Sequence, residues 1–373
     1  MNDRAQQPGY VLIFTLMLIT LIVALVTSMA NKSSVHSFYL KTMIDREKAK
    51  MLALSGVQIA VSQLATMHES SEPEVEAQVA KQEEKKEDSS QEEAKNFLIN
   101  LLPVLNRWQT FNLTQKNDAI TGKINVCIGC EEGKIDLNQL FDFVKKEFVN
   151  QGKKEKDYRK FMEEVFGKIQ EIVGGDGLFD KFENFLKERQ TELYDPTELL
   201  TIKEFDRFKD KIFFEPETIS SEDKVQVKQT IYLNDIFTLW SFQQELNPWL
   251  LSHSLKIMLG IKEEEKKEER EQEEKRLQKT LEEFKVEAKW PNSWNNMLKP
   301  LYGIDFDSLP KEMKTAMGTK FEPTVFSVLS YGTVGDVTQK LFMILERIKS
   351  PKTEQTGKGK SSFEFRARKF YWL

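Results

Sequence analysis

PGYVLIFTLMLITLIVALVTSMANK, residues 8–32, decides the architecture of this chain. Tyr10 to Ala30 is a run of 21 residues without a charge. As a helix rising about 1.5 Å per residue it is about 30 Å long, the thickness of a bilayer's hydrocarbon core. A secretory signal peptide has a shorter apolar stretch ending in small residues. Ser28 and Ala30 loosely imitate such a site, so removal of the segment stands as the alternative to anchorage. The sequence beyond it favours one continuous helix: from Lys32 to Met67 there are helix formers, no Pro, and a first Gly only at Gly56. The expected helix therefore runs from near Tyr10 to near Met67, about 85 Å. Its first half is apolar on all sides and its second half amphipathic. Ala49, Ala53, Gly56 and Ala60 recur on one face, with Leu52, Val57 and Ile59 beside them. Small residues let another backbone approach closely. Two occupants of that stripe are open, a neighbouring chain and this chain's own water-facing domain.

The 373 residues are enough for one large domain or two modest ones. With 54 Lys and Arg against 59 Asp and Glu, nothing points to nucleic acid. The 26 Phe support a packed core, and the three His (His36, His68, His253) are far apart in sequence. There is no nucleophile elbow, paired-His metal motif or phosphate loop, so no enzyme is expected. GGDG at 174–177 lacks the Lys-Ser or Lys-Thr of a phosphate loop and reads as a helix–helix turn, and Asp176 and Asp180 alone make no calcium loop. Cys127 and Cys130 are spaced CxxC within NVCIGCEEGKIDL, a strand and turn with no second pair to complete a zinc site. They read as a local disulfide or as two free thiols.

The chain divides by composition into a leader (1–9), the long helix (10–68, with 10–30 crossing the membrane) and an acidic linker (69–95). An α/β segment (96–140), a helical insertion (141–260), a charged exposed helix (261–290) and a C-terminal β part (291–373) follow. Asn96–Trp108 reads as a short helix and Thr121–Ile128 as a strand. Gly133 suits a turn at positive φ, and Asn138 suits a helix N-cap. Helical periodicity runs from Phe141 to about Phe213, with a cap and first turn at Asp195 and Pro196. Asn247 and Pro248 open a helix holding Leu250, Leu251, Leu255 and Met258. Thr324–Ile348 alternates as two strands around Gly332 and Gly335, and FEFRARKFYWL closes the chain as another. The fold class is α+β.

The short polar leader MNDRAQQPG, ending in Gly9 just before the apolar helix, resembles the leaders of type IV pilin-like proteins. The resemblance implies cleavage between Gly9 and Tyr10 by a prepilin peptidase on the cytoplasmic side. Most of the family carry Glu as fifth mature residue, pairing with a neighbour's terminal amine. Here that position is Phe14, as in the K-type minor pseudopilin of type II secretion, which typically lacks the Glu. GKIDLNQL (Gly133, Lys134, Ile135, Asp136, Leu137, Asn138 and on to Leu140) resembles the K-type motif where the sheet hands over to an inserted helical region. Asn247-Pro248 resembles its cap before a leucine-bearing helix. FSVLSYGTVGDV, with Ser330 and Gly332, resembles its closing strand and turn.

This resemblance implies a long N-terminal helix, an antiparallel pseudopilin sheet and a large inserted α-helical domain. It implies a non-enzymatic minor pseudopilin at the tip of the filament. Its partners would be other minor pseudopilins, the major pseudopilin, the prepilin peptidase and membrane lipid. Its place would be the bacterial inner membrane, single-pass, with the soluble domain in the periplasm. No cofactor is expected. Some K-type proteins bind calcium, but no ligand set in this sequence matches them. A generic membrane-anchored interaction protein and a minor pilin of a type IV pilus are the alternatives.

Overall fold

The structure is a computed structural model that describes residues 8–69, 96–153, 156–216, 230–261, 294, 298–318, 323–349 and 363–373. The acidic linker and the charged helix expected over 261–290 lie almost wholly outside the described residues. Helix α1 spans Pro8–Glu69. Pro is tolerated in its first turn because the N–H it lacks would be unpaired there anyway. Hydroxyls in the apolar run are satisfied within the helix: Thr15 donates to Leu12 O at 2.9 Å, Thr20 to Met17 O at 2.8 Å and Thr27 to Val23 O at 2.8 Å. That self-pairing suits a segment with no water to bond.

Five antiparallel strands form one sheet: β1 (Trp108–Leu113), β2 (Gly122–Cys130), β3 (Val325–Val334), β4 (Val337–Lys349) and β5 (Phe363–Trp372), neighbours in that order. The β3–β4 hairpin turns through Gly335 and Asp336 between the Val334–Val337 pair, with Gly335 at φ 55° as a two-residue loop requires. Between the neighbours β2 and β3 the chain makes a long excursion, 131–324. Strand alternation gives the sheet two different faces. Ile124, Val126, Ser330 and Gly332 point toward α1. Tyr331 and Phe342 point the other way, stacking on Trp108, Phe213 and Trp240. The excursion covers that second face.

Within the excursion, α2 (Tyr158–Val173) and α3 (Leu178–Glu188) form a hairpin with Gly174, Gly175 and Gly177 in its turn. Phe166 is its hub, touching Phe179, Phe182, Phe205 and Phe237. Arg159 donates in a fork to Glu183, at 3.0 and 2.9 Å, across the two helices. Asp195 and Glu198 make a full capping box at the start of the 3₁₀ turn Pro196–Thr201.

Several local expectations need correction. The helix read as Asn96–Trp108 stops at residue 101, and Trp108 instead opens the edge strand β1. Phe141 does not start a helix. Phe141–Asp142 pairs with Glu147–Phe148 as a small hairpin, because the Asp142 carboxylate accepts from Val144 N and Lys145 N and fixes a turn. Asn247 and Pro248 do not cap a helix either. Asn247 Oδ1 accepts from Trp249 N within a turn, and the helix α4 (His253–Met258) begins after Ser252, whose Oγ accepts from Leu255 N.

Candidate functional site

The small-residue stripe of α1 lies on the chain's own sheet. Ala49, Ala53 and Ala60 are fully buried, and the contact is backbone against backbone. A Cβ on Gly332 would stand 2.1 Å from Ala49 O and 2.6 Å from Ala53 N, and one on Gly56 would stand 2.1 Å from Ser330 Oγ. Each partner is therefore notched for the other: two glycines, on opposite surfaces, remove the atoms that would hold helix and sheet apart. Leu52 and Val57 fill the flanks of this seat, both buried. Gln63 and Gln109 exchange amide hydrogen bonds at 2.8 and 3.2 Å, tying α1 to β1.

Below the seat the helix has no cover. Among the described side chains of α1, none before Ala49 is buried. Leu12–Met67 includes a window of mean hydropathy 2.6, long and apolar enough to cross a membrane. Phe14 lies in this run, 63% exposed. Gly9 and Tyr10 are in the first turns of α1, and their side chains lie outside the described ones. The apolar character does not end with the uncharged run. Val35, Phe38, Tyr39, Leu40, Met43 and Ile44 follow Lys32, with Phe38 73% and Val35 69% exposed. At about 100° per residue these six positions cover about two thirds of the circumference, and Ser34, Ser37, Lys41 and Asp45 occupy the rest.

The motif residues after β2 form a buried polar joint between the sheet and the excursion. Lys134 Nζ donates to Glu131 Oε1 at 2.5 Å and to Ser327 Oγ at 3.1 Å, and Thr238 Oγ1 donates to Glu131 Oε2. Glu132 Oε1 accepts from Thr324 N, Thr324 Oγ1 and Val325 N at 2.6, 2.7 and 3.0 Å, which pins the start of β3. Burial nevertheless pushes the Glu132 carboxyl above its ordinary range. Ile135 and Asp136 pair in parallel with Phe237 and Thr238, and Leu137 is buried behind them. Asp136 takes the capping role expected of Asn138: its carboxylate accepts from Asn138 N, Gln139 N, Ser241 Oγ and Phe242 N. Desolvation outweighs those four bonds and raises Asp136 to about 6. Asn138 instead clamps Leu193, donating to its carbonyl and accepting from its N–H, both at 2.9 Å. Gly133 is not at positive φ. It is required because a Cβ there would stand 1.6 Å from Leu250 O. The loop around Asn247 and Pro248 belongs to the same joint, since Asn247 N donates to Glu132 O and Tyr302 Oη to Pro248 O.

Cys127 and Cys130 are free and buried. Three residues apart on an extended strand they are about 10 Å apart and face opposite sides of the sheet, too far for a disulfide. The disulfide reading is thereby replaced by two separate thiols. Cys130 Sγ donates to Glu132 Oε2 at 2.9 Å, and burial, with the Glu132 charge beside it, pushes that thiol well up. Among the described residues no three His, Cys, Asp or Glu side chains gather as a metal site. His253 is stacked on Phe214, with ring centroids 4.7 Å apart. Sequence reasoning missed β1, Asp136 as the cap and the whole joint. Only the alternation of Phe111 and Leu113 signalled the first of these.

No family model and no curated protein matches the chain. Among solved structures, it is similar to a chain in the crystal structure of the GspK-GspI-GspJ complex from the enterotoxigenic Escherichia coli type 2 secretion system. The likeness has a TM-score of 0.44 at 11% sequence identity and spans 90% of this chain and 99% of that one. At that identity and superposition the likeness by itself assigns no function.

Proposed function

We propose that the chain is a non-enzymatic minor pseudopilin of a type II secretion system, K-like, acting through its N-terminal helix and placed at the filament tip. The observation that carries this reading is the apolar stretch Val35–Ile44. Ile44 lies 14 residues beyond Ala30, about 21 Å further along the helix and so outside a bilayer that the uncharged run fills. Lipid does not reach it, and the chain's own domain begins to cover α1 only at Ala49. Six large apolar side chains left in water over about two thirds of a helix's circumference are unfavourable unless other apolar surfaces cover them. A bundle of like helices, each drawn partly out of the membrane, supplies such a surface. The absent carboxylate at Phe14 supports a place at the end of the bundle, where no further subunit's amine needs a partner. The bilayer-length run supports an inner-membrane anchor with the sheet domain on the periplasmic side.

The test is the mature N-terminus. Coexpression with a cognate prepilin peptidase is expected to give a chain that begins at Tyr10 by mass spectrometry, with Gly9→Ala blocking the cut. A chain beginning after Ala30, or one retaining Met1 in the presence of active peptidase, would overturn the reading.

A further inference from the structure

On the sheet face that carries the excursion lies a cavity of about 20 Å³, lined by Asn106, Gly129, Lys134, Asn234, Asp235 and Ser327 together with apolar side chains. Its polar groups come from both sides of the junction: Gly129 and Ser327 from the sheet, Asn234 and Asp235 from the excursion. Asn234 is 4% exposed, and its Oδ1 has no hydrogen-bond partner among the described residues. Lys134 is 5% exposed and donates twice, to Glu131 Oε1 and Ser327 Oγ, which leaves one N–H of its ammonium over among the described residues. Gly129 opens the space. A Cβ there would stand 2.8 Å from Ser327 Oγ, 3.5 Å from Asn106 Oδ1 and 4.0 Å from Lys134 Nζ, so three polar atoms converge on the spot where a side chain is missing.

Size and charge select the occupant. A void of this measure holds about one water. Glu131 and Asp235 repel an anion, and the Lys134 ammonium repels a cation. A small neutral molecule that both donates and accepts meets the leftover donor and the orphaned acceptor together. We propose that the cavity holds one ordered water that accepts from Lys134 Nζ and donates to Asn234 Oδ1, with Asn106 Oδ1 as a second acceptor. It thereby ties Lys134 at the head of the excursion to Asn234 further along it and to Asn106 just before β1, beside the direct Lys134–Ser327 hydrogen bond that already joins excursion and sheet.

The test is water magnetic relaxation dispersion on the full chain in detergent micelles, which counts long-lived internal waters. Gly129→Ala fills the space and is expected to lower the count by one. Asn234→Leu, which removes the acceptor, is expected to do the same. An unchanged count in either folded variant would overturn the proposal. Should both variants fail to fold, density for the wild-type chain at better than about 2 Å decides: a peak within hydrogen-bond distance of Asn234 Oδ1 and Lys134 Nζ supports the water, and an empty cavity overturns it.

Discussion

One helix meets two unlike environments along its length, and its residues differ accordingly. From Ala49 to Ala60 the innermost positions are Ala, Ala, Gly and Ala, flanked by buried Leu52 and Val57, because there the helix lies directly on the sheet, with its backbone against Gly332. From Leu12 to Ile44 the exposed apolar side chains are chiefly Leu, Ile, Val, Met and Phe, on every side up to Ala30 and beside a polar strip of Ser34, Ser37 and Lys41 beyond it. A fixed partner inside the same chain can be matched atom by atom, so small residues and notches suffice, and a bulky one would push the surfaces apart. On the proposed reading the cover of the lower half is fluid lipid at one time and other helices at another, which cannot be matched in that way. It is met with large, flexible apolar side chains instead. The upper half thus has a fixed contact, and the proposed function gives the lower half exchangeable ones.

The largest expected effect breaks the upper half alone. Gly332→Ala places a Cβ against Ala49 O and Ala53 N, backbone atoms that move only if the whole helix lifts. The expected loss is on the order of 3–5 kcal/mol of domain stability in urea unfolding. A loss below about 1 kcal/mol would show that helix and sheet are not in direct backbone contact.

A second, smaller effect comes from the joint beneath the seat. The folded Asp136 carboxyl sits at about 6 against an ordinary value of 3.8. Its protonated form is therefore favoured by folding, and the stability it contributes is fully present below about pH 4 and lost as pH rises through 6. Between pH 7.5 and pH 4.5 this group alone is expected to add about 2 kcal/mol of stability. Glu132, raised likewise by burial, acts in the same direction. Asp136→Asn keeps a capping oxygen but has no charge to lose, and is expected to flatten most of that slope. A slope unchanged by the substitution would place the titration elsewhere.

The smallest effect on stability carries the largest consequence for assembly. Ile44→Glu and Phe38→Glu alter side chains that touch nothing in the described structure's core. Domain unfolding is expected to shift by less than about 0.5 kcal/mol. Incorporation into pseudopili, counted by pull-down of filaments, is expected to fall severely, because each filament contact would then bury a carboxylate without a partner. Normal incorporation of either variant would erase the distinction between the two halves.

Much of this was legible in the sequence. A 21-residue uncharged run followed by helix formers without Pro leaves little but a long helix, and the structure has one over Pro8–Glu69. The alternation around Gly335 marked the β3–β4 hairpin for the same local reason. Short elements escaped: Phe141 and Phe148, seven apart, fit a helical period as well as a hairpin, and the Asp142 turn decided between them. The stripe on α1 was visible, but its occupant was not, since Ser330 and Gly332 lie some 270 residues further along. Gly133 shows the same limit, its need set by Leu250 rather than by its own backbone angles. Asp136 and Asn138 are both sound caps. Which of them caps was decided by Leu193, which binds the Asn side chain, and by Ser241 and Phe242, which bind the Asp.

The central claim, that the lower half of α1 leaves the lipid to pack beside other helices, is tested most directly by cysteine cross-linking in cells. With Cys127 and Cys130 replaced by Ala, Phe38→Cys would be probed for disulfides to cysteines at matching heights on co-expressed minor pseudopilins. The expected result is a cross-link to a partner helix that appears with the intact Gly9 site and disappears in Gly9→Ala. A residue 38 that forms no cross-link in an actively secreting cell, while remaining accessible to water-soluble thiol reagents, would contradict the account.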